Sequence, residues 1–89
     1  MNKQKLNDEQ KANSEKIQIY FENQIDVHIT LNKTTLLGHH YWFNGKITKL
    51  YSSTLFELTD RLTYEKYIFS VFQLQDDGIN EYQKEEFKK

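Results

Sequence analysis

The 89-residue chain has no cysteine, no proline and only three glycines. Without cysteine there is no disulfide framework, no thiol nucleophile and no cysteine-ligated zinc or iron–sulfur site, and a reducing cytoplasm is the expected compartment. No apolar run exceeds three residues, which is too short for a membrane-spanning helix, and the polar amino terminus carries no signal-peptide stretch. Charge of one sign is also missing. Twelve Lys+Arg stand against 13 Asp+Glu, and a formal net charge of −1 provides no global positive field of the kind a strongly basic nucleic-acid binder carries.

Catalytic patterns are missing too. There is no Gly-rich phosphate loop and no Ser-His-Asp spacing, and Glu57 and Asp60 read as solvated turn residues rather than an acid–base pair. No enzymatic activity is expected. His28, His39 and His40 raise the question of a metal. Adjacent histidines on a strand point to opposite faces, and no acid lies near His39, so they read as solvated or ring-stacking residues. Neither metal nor cofactor is expected.

What the chain does have is concentrated in its centre. Of 33 hydrophobic residues, 27 lie between Ile17 and Leu74, which makes those 58 positions about half apolar, ordinary for a globular core. The ends are polar. The expected organisation is a flexible N-terminus over residues 1–13, one domain over 14–82 and a charged tail over 83–89.

Periodicity supplies the elements. Ile17, Tyr20, Phe21 and Ile25 form one stripe of a short helix from about Ser14 to Gln24, with Asn13 or Ser14 as N-cap. The pattern then switches to period two: Ile25, Val27, Ile29 and Leu31 alternate with Asp26, His28 and Thr30, the clearest strand of the chain. Tyr41 to Tyr51 predicts a long strand with Tyr41, Phe43, Gly45 and Ile47 on one face and Trp42, Asn44, Lys46 and Thr48 on the other. Gly45 within it marks a bulge, a bend or the close approach of another backbone. Further strands are expected at Thr54–Thr59 and Tyr64–Phe69, then a break near Ser70, a turn at Asp76-Asp77-Gly78 and a last strand over Ile79–Tyr82. The fold class is therefore mostly β: an N-terminal α-helix followed by a five-stranded, strongly bent antiparallel small barrel, because so short a sheet cannot bury a core while flat.

The segments Asp26-Val27-His28-Ile29-Thr30-Leu31, Gly45-Lys46-Ile47, Phe56-Glu57-Leu58-Thr59-Asp60 and Ile68-Phe69-Ser70-Val71-Phe72 resemble the Sm-like family, which includes Lsm proteins and Hfq. The resemblance covers roughly residues 15 to 82. It implies a homomeric ring, a hexamer or heptamer, closed by pairing of strands four and five between subunits. Tyr67, Phe69, Val71 and Phe72 are then the expected subunit interface, since such residues fit a solvated edge poorly. It also implies single-stranded RNA as a partner and a role in RNA chaperoning or RNA metabolism.

The aromatic surplus, six Tyr, six Phe and one Trp, bears on the same function. Stacking on aromatics beside Lys or Arg is how sequence-tolerant single-strand binders work. Tyr41, Trp42, Lys46, Lys49, Tyr51, Arg61 and Lys66 are the candidate RNA-binding residues. The alternative is a ring-forming protein-interaction or scaffold module of the same fold without nucleic-acid binding. It draws on Tyr51 to Thr54, where the family's nucleobase-pocket Asp and Asn would fall and this chain has Tyr, Ser, Ser and Thr. A monomeric SH3-like barrel using Trp42 and Lys46 is a third reading.

Overall fold

In a computed structural model, the structure describes residues 5–32 and 42–83. One helix precedes five antiparallel strands: α1 (Asp8–Glu22), β1 (Asp26–Leu31), β2 (Trp42–Leu50), β3 (Leu55–Asp60), β4 (Lys66–Ser70) and β5 (Leu74–Glu81), with a 3-10 turn over Val71–Gln73 between the last two. The sheet order is β4-β3-β2-β1-β5, so β4 and β5 are its two edges. This is the expected class, a helix and a small barrel-like sheet.

The helix starts earlier than the apolar stripe suggests. Its N-cap is Asn7, whose side chain accepts from the Gln10 amide while the Gln10 side chain accepts from the Asn7 amide. This reciprocal capping box satisfies two of the first-turn donors and so extends the helix through a polar segment that periodicity does not flag. Asn13 and Ser14 are therefore not caps. Asn13 is buried, and its Nδ2 donates to the Gln75 carbonyl at 3.0 Å, tying the helix to β5. Ile17 enters the core, while Leu6, Tyr20 and Phe21 pack against it.

The core lines the inner face of the curled sheet. Val27, Ile29 and Leu31 of β1, Ile47 of β2, Phe56 and Leu58 of β3 and Ile79 of β5 are all fully buried. β3 passes close to Gly45: a Cβ there would stand 2.1 Å from the Thr59 carbonyl oxygen. Of the three roles expected of that glycine, close backbone approach is the one realised. The bulge in β2 falls instead between Ile47 and Lys49.

Two expected boundaries are corrected. Tyr64 is not in β4 but in the preceding turn, at φ 65°, where Asp60 Oδ1 accepts from the amides of Leu62 and Thr63. The Asp76-Asp77-Gly78 segment does not separate two strands either. It is an outward bulge inside β5, because Ile29 faces Ile79 while Leu31 faces Leu74, leaving three extra residues on the β5 side. Asp77 takes φ 54° there, and a Cβ on Gly78 would lie 2.8 Å from the Thr30 carbonyl oxygen. The turn residues do their local job without ending the strand.

Candidate functional site

The outer face of β2, β1 and β5 carries the polar half of each strand's alternation. Register places Thr30 opposite Trp42, His28 opposite both Asn44 and Asn80, and Asp26 opposite Lys46. Trp42 is 51% exposed and stacks on the His28 ring, with centroids 5.9 Å apart and planes 27° from parallel. His28 Nδ1 lies 2.6 Å from Asn44 Oδ1. An amide oxygen only accepts, so in this bond Nδ1 carries the proton and donates.

Asn80 is held from two sides. Its Oδ1 accepts from Lys16 Nζ at 2.9 Å and its Nδ2 donates to the Asp77 carbonyl at 3.0 Å. Lys16 also pairs with the Asp77 carboxylate at 2.6 Å and donates to the Ile79 carbonyl at 3.2 Å. Helix α1 thus clamps the β5 bulge, and the bulge sets Asn80 beside His28.

A shallow, open pocket of about 600 Å³ lies here, lined by His28, Trp42 and Asn44 on β1 and β2 and by Asn80, Glu81, Tyr82 and Gln83 at the β5 end. Arg61, just beyond β3, reaches over two strands to place its guanidinium 4.6 Å from the centre of the Tyr82 ring. That cation–π contact contributes about 0.5–1 kcal/mol at an exposed site. The Arg61 amide donates to the Asn44 carbonyl at 3.0 Å, which fixes where the side chain departs.

The expected RNA-binding residues divide into groups. Trp42, Lys46 and Arg61 border this face, with Lys46 Nζ 3.6 Å from Asp26 Oδ1. Lys66 shares the outer surface two strands away, opposite Thr59, which itself faces Lys46. Lys49 and Tyr51 form a separate unit at the far end of β2, with the ammonium 5.4 Å from the ring centre. At about 3.3 Å per residue, that end lies roughly 20 Å from Trp42. Tyr41 lies outside the described residues, as do His39 and His40. Among the described residues no group of three or more His, Cys, Asp or Glu is placed to hold a metal ion. Likewise, among them no helix is long and apolar enough to cross a membrane.

The side chains expected at a subunit interface are largely used at home. Val71 is fully buried and Phe69 is 5% exposed. Phe69 packs at 5.1 Å on Phe43 and 6.1 Å on Phe56, and Tyr67 sits 4.9 Å from Phe43. Phe72 is half-buried in the 3-10 turn. The curl of the sheet brings β2 and β3 aromatics over β4, so these residues fill the protomer's own barrel. Ile68 is the outward apolar residue of β4, 56% exposed. The Tyr67 hydroxyl donates to Glu65 at 2.7 Å, and this bond to a carboxylate raises its pKa above the usual 10.0, with desolvation adding to the effect.

Sequence reasoning placed Trp42, Asn44 and Lys46 on one face but left out His28, Asn44, Asn80 and Tyr82 as site residues. Their association depends on register between β1, β2 and β5, and no local signal encodes that pairing. No family model, no curated protein and no solved structure matches this chain.

Proposed function

We propose that this chain is an Sm-like ring subunit, working in the cytoplasm, that binds single-stranded RNA on the outer face of β1, β2 and β5. The observation that carries the reading is the half-exposed Trp42 stacked on His28 above the Asn44 and Asn80 amides, bordered by Lys46 and Arg61. Exposed aromatic faces beside cations suit unpaired bases, which stack without regard to sequence. The strand order supports assembly, since it leaves β4 and β5 as edges whose unpaired backbone groups complement each other between copies. A formal net charge of −1 means that stacking and repetition around a ring, rather than bulk charge, supply the affinity.

A protein-interaction role is the second reading. It is favoured by Leu55, Leu62, Tyr64 and Ile68, which expose 39%, 76%, 75% and 56% of their surface on the β3–β4 side. Two measurements separate the readings. Sedimentation in solution gives a mass near six or seven times 10.8 kDa if the chain forms a ring, and a 10.8 kDa species at micromolar concentration contradicts the ring. Fluorescence anisotropy with labelled oligo-U and oligo-A reports binding, and no salt-dependent rise at tens of micromolar protein contradicts the RNA role and leaves the interaction module.

A further inference from the structure

We propose that His28 is a proton switch on the outer face. Taking up a proton as pH falls through the ordinary histidine range puts a cation beneath Trp42 and tightens the binding of single-stranded RNA. This deepens the single-strand reading above and rests on it for the RNA, whereas the protonation is read on the free protein.

The geometry singles out one nitrogen. His28 is half-buried under Trp42, with ring centroids 5.9 Å apart and planes 27° from parallel. Its Nδ1 donates to Asn44 Oδ1 at 2.6 Å, and that bond holds one ring proton in place. A second proton is therefore taken up at Nε2, which has no hydrogen-bond partner among the described residues. The imidazolium keeps the Asn44 bond, because that bond already uses Nδ1 as its donor. Protonation thus changes the charge of the stack and leaves its geometry alone. A cation against an indole face is itself a favourable contact.

The charges around His28 come from every element that borders it. On β1, Asp26 lies two residues away and pairs with Lys46 of β2 at 3.6 Å. From β5, Asn80 faces His28, and Glu81 and Tyr82 line the same pocket. Beyond Asn80, Lys16 of α1 pairs with Asp77 at 2.6 Å. The Arg61 guanidinium sits 4.6 Å from the centre of the Tyr82 ring, opposite in sign to Glu81. These charges cancel. With a neutral His28 the face offers a phosphate backbone little net attraction, and with an imidazolium it gains a net positive charge. Carboxylate, ammonium and guanidinium groups ordinarily keep their charge between about pH 5 and 8, so histidine is the side chain that tips the balance.

The test uses the full chain and two readouts across that range. Trp42 is the only tryptophan, and an imidazolium in contact with indole quenches its emission more strongly than a neutral imidazole does. Without RNA, Trp42 emission is expected to fall along a one-proton curve as pH is lowered. His28→Gln keeps a donor for Asn44 Oδ1, cannot titrate, and should abolish the curve although His39 and His40 remain. Anisotropy with labelled oligouridylate, whose base does not ionise in this range, should show about three- to fivefold tighter binding at the acid end. That is the effect of one charge a few ångströms from a phosphate in water, and His28→Gln should bring the ratio to near one. If circular dichroism shows that the variant does not fold, the wild-type chain decides. Its affinity should then depend more steeply on salt at the acid end, and equal salt slopes overturn the switch. An emission curve that is flat, or that persists in folded His28→Gln, also overturns it. RNA affinity that is the same at both ends defeats the switch and leaves the RNA reading standing. No RNA binding at either end defeats both.

Discussion

Strand β2 faces two environments, and its two sets of side chains answer different demands. Inward, Gly45 and Ile47 are fixed by what surrounds them, a carbonyl that leaves no room for a Cβ and a cluster of fully buried aliphatic and aromatic side chains. Outward, Trp42 stacks on His28, Asn44 bonds to the same ring and Lys46 pairs with Asp26, all within reach of solvent. Trp42 keeps 51% of its surface exposed there. The inner face is what the fold requires, and the outer face is what the fold displays.

The contrast can be broken in a definite order. Phe56→Ala removes the largest fully buried side chain of the core and is expected to cost about 3–5 kcal/mol in urea unfolding. In so small a domain that approaches the whole stability. Gly45→Ala drives a methyl group into the Thr59 carbonyl and should cost on the order of 3 kcal/mol by forcing β2 away from β3. A loss below about 0.5 kcal/mol for Gly45→Ala would mean that the two strands are not so close.

Trp42→Ala should do the opposite of the core substitutions. Its unfolding free energy is expected to fall by less than about 1 kcal/mol, while single-stranded RNA affinity drops by about 1–3 kcal/mol, read by anisotropy with a labelled oligonucleotide. If instead stability collapses and binding by the remaining folded protein is unchanged, the two faces do not divide as described.

The smallest effect concerns Tyr67, at the border between the faces. Its hydroxyl bond to Glu65 raises its pKa in the folded state, so that state binds the proton more tightly than the unfolded chain does. The stability from this bond is fully present below the unfolded value near 10 and is lost as pH rises through the folded value. Ultraviolet titration should find one tyrosine ionising later than the others, and Glu65→Gln should bring it down.

How much of this was legible in the sequence follows the same division. Period-two alternation in β1 located Val27, Ile29 and Leu31 correctly, because burial on one face is a repeated, local demand. The start of α1 was missed because its cap, Asn7 with Gln10, is polar and lies outside the apolar stripe. In sequence the Asp76-Asp77-Gly78 bulge looks like a strand break, because its dihedral demands match those of a turn. Residue type alone points to Trp42, Lys46 and Arg61, but not to the pocket, since the His28–Asn44 and Arg61–Tyr82 contacts join positions 16 and 21 residues apart through register alone. Phe69 and Val71 show the converse. Their apolar character was clear, but whether they close a subunit's own barrel or a neighbour's depends on the curl of the sheet.

The most direct test of the account follows one titration with two signals. Single-stranded oligouridylate is added to the wild-type chain while the anisotropy of the labelled RNA and the emission of Trp42 are both recorded. The account predicts that emission falls along the same curve as anisotropy rises, because RNA binds across the face that Trp42 occupies. RNA binding that leaves Trp42 emission unchanged, or no binding at all, would contradict it.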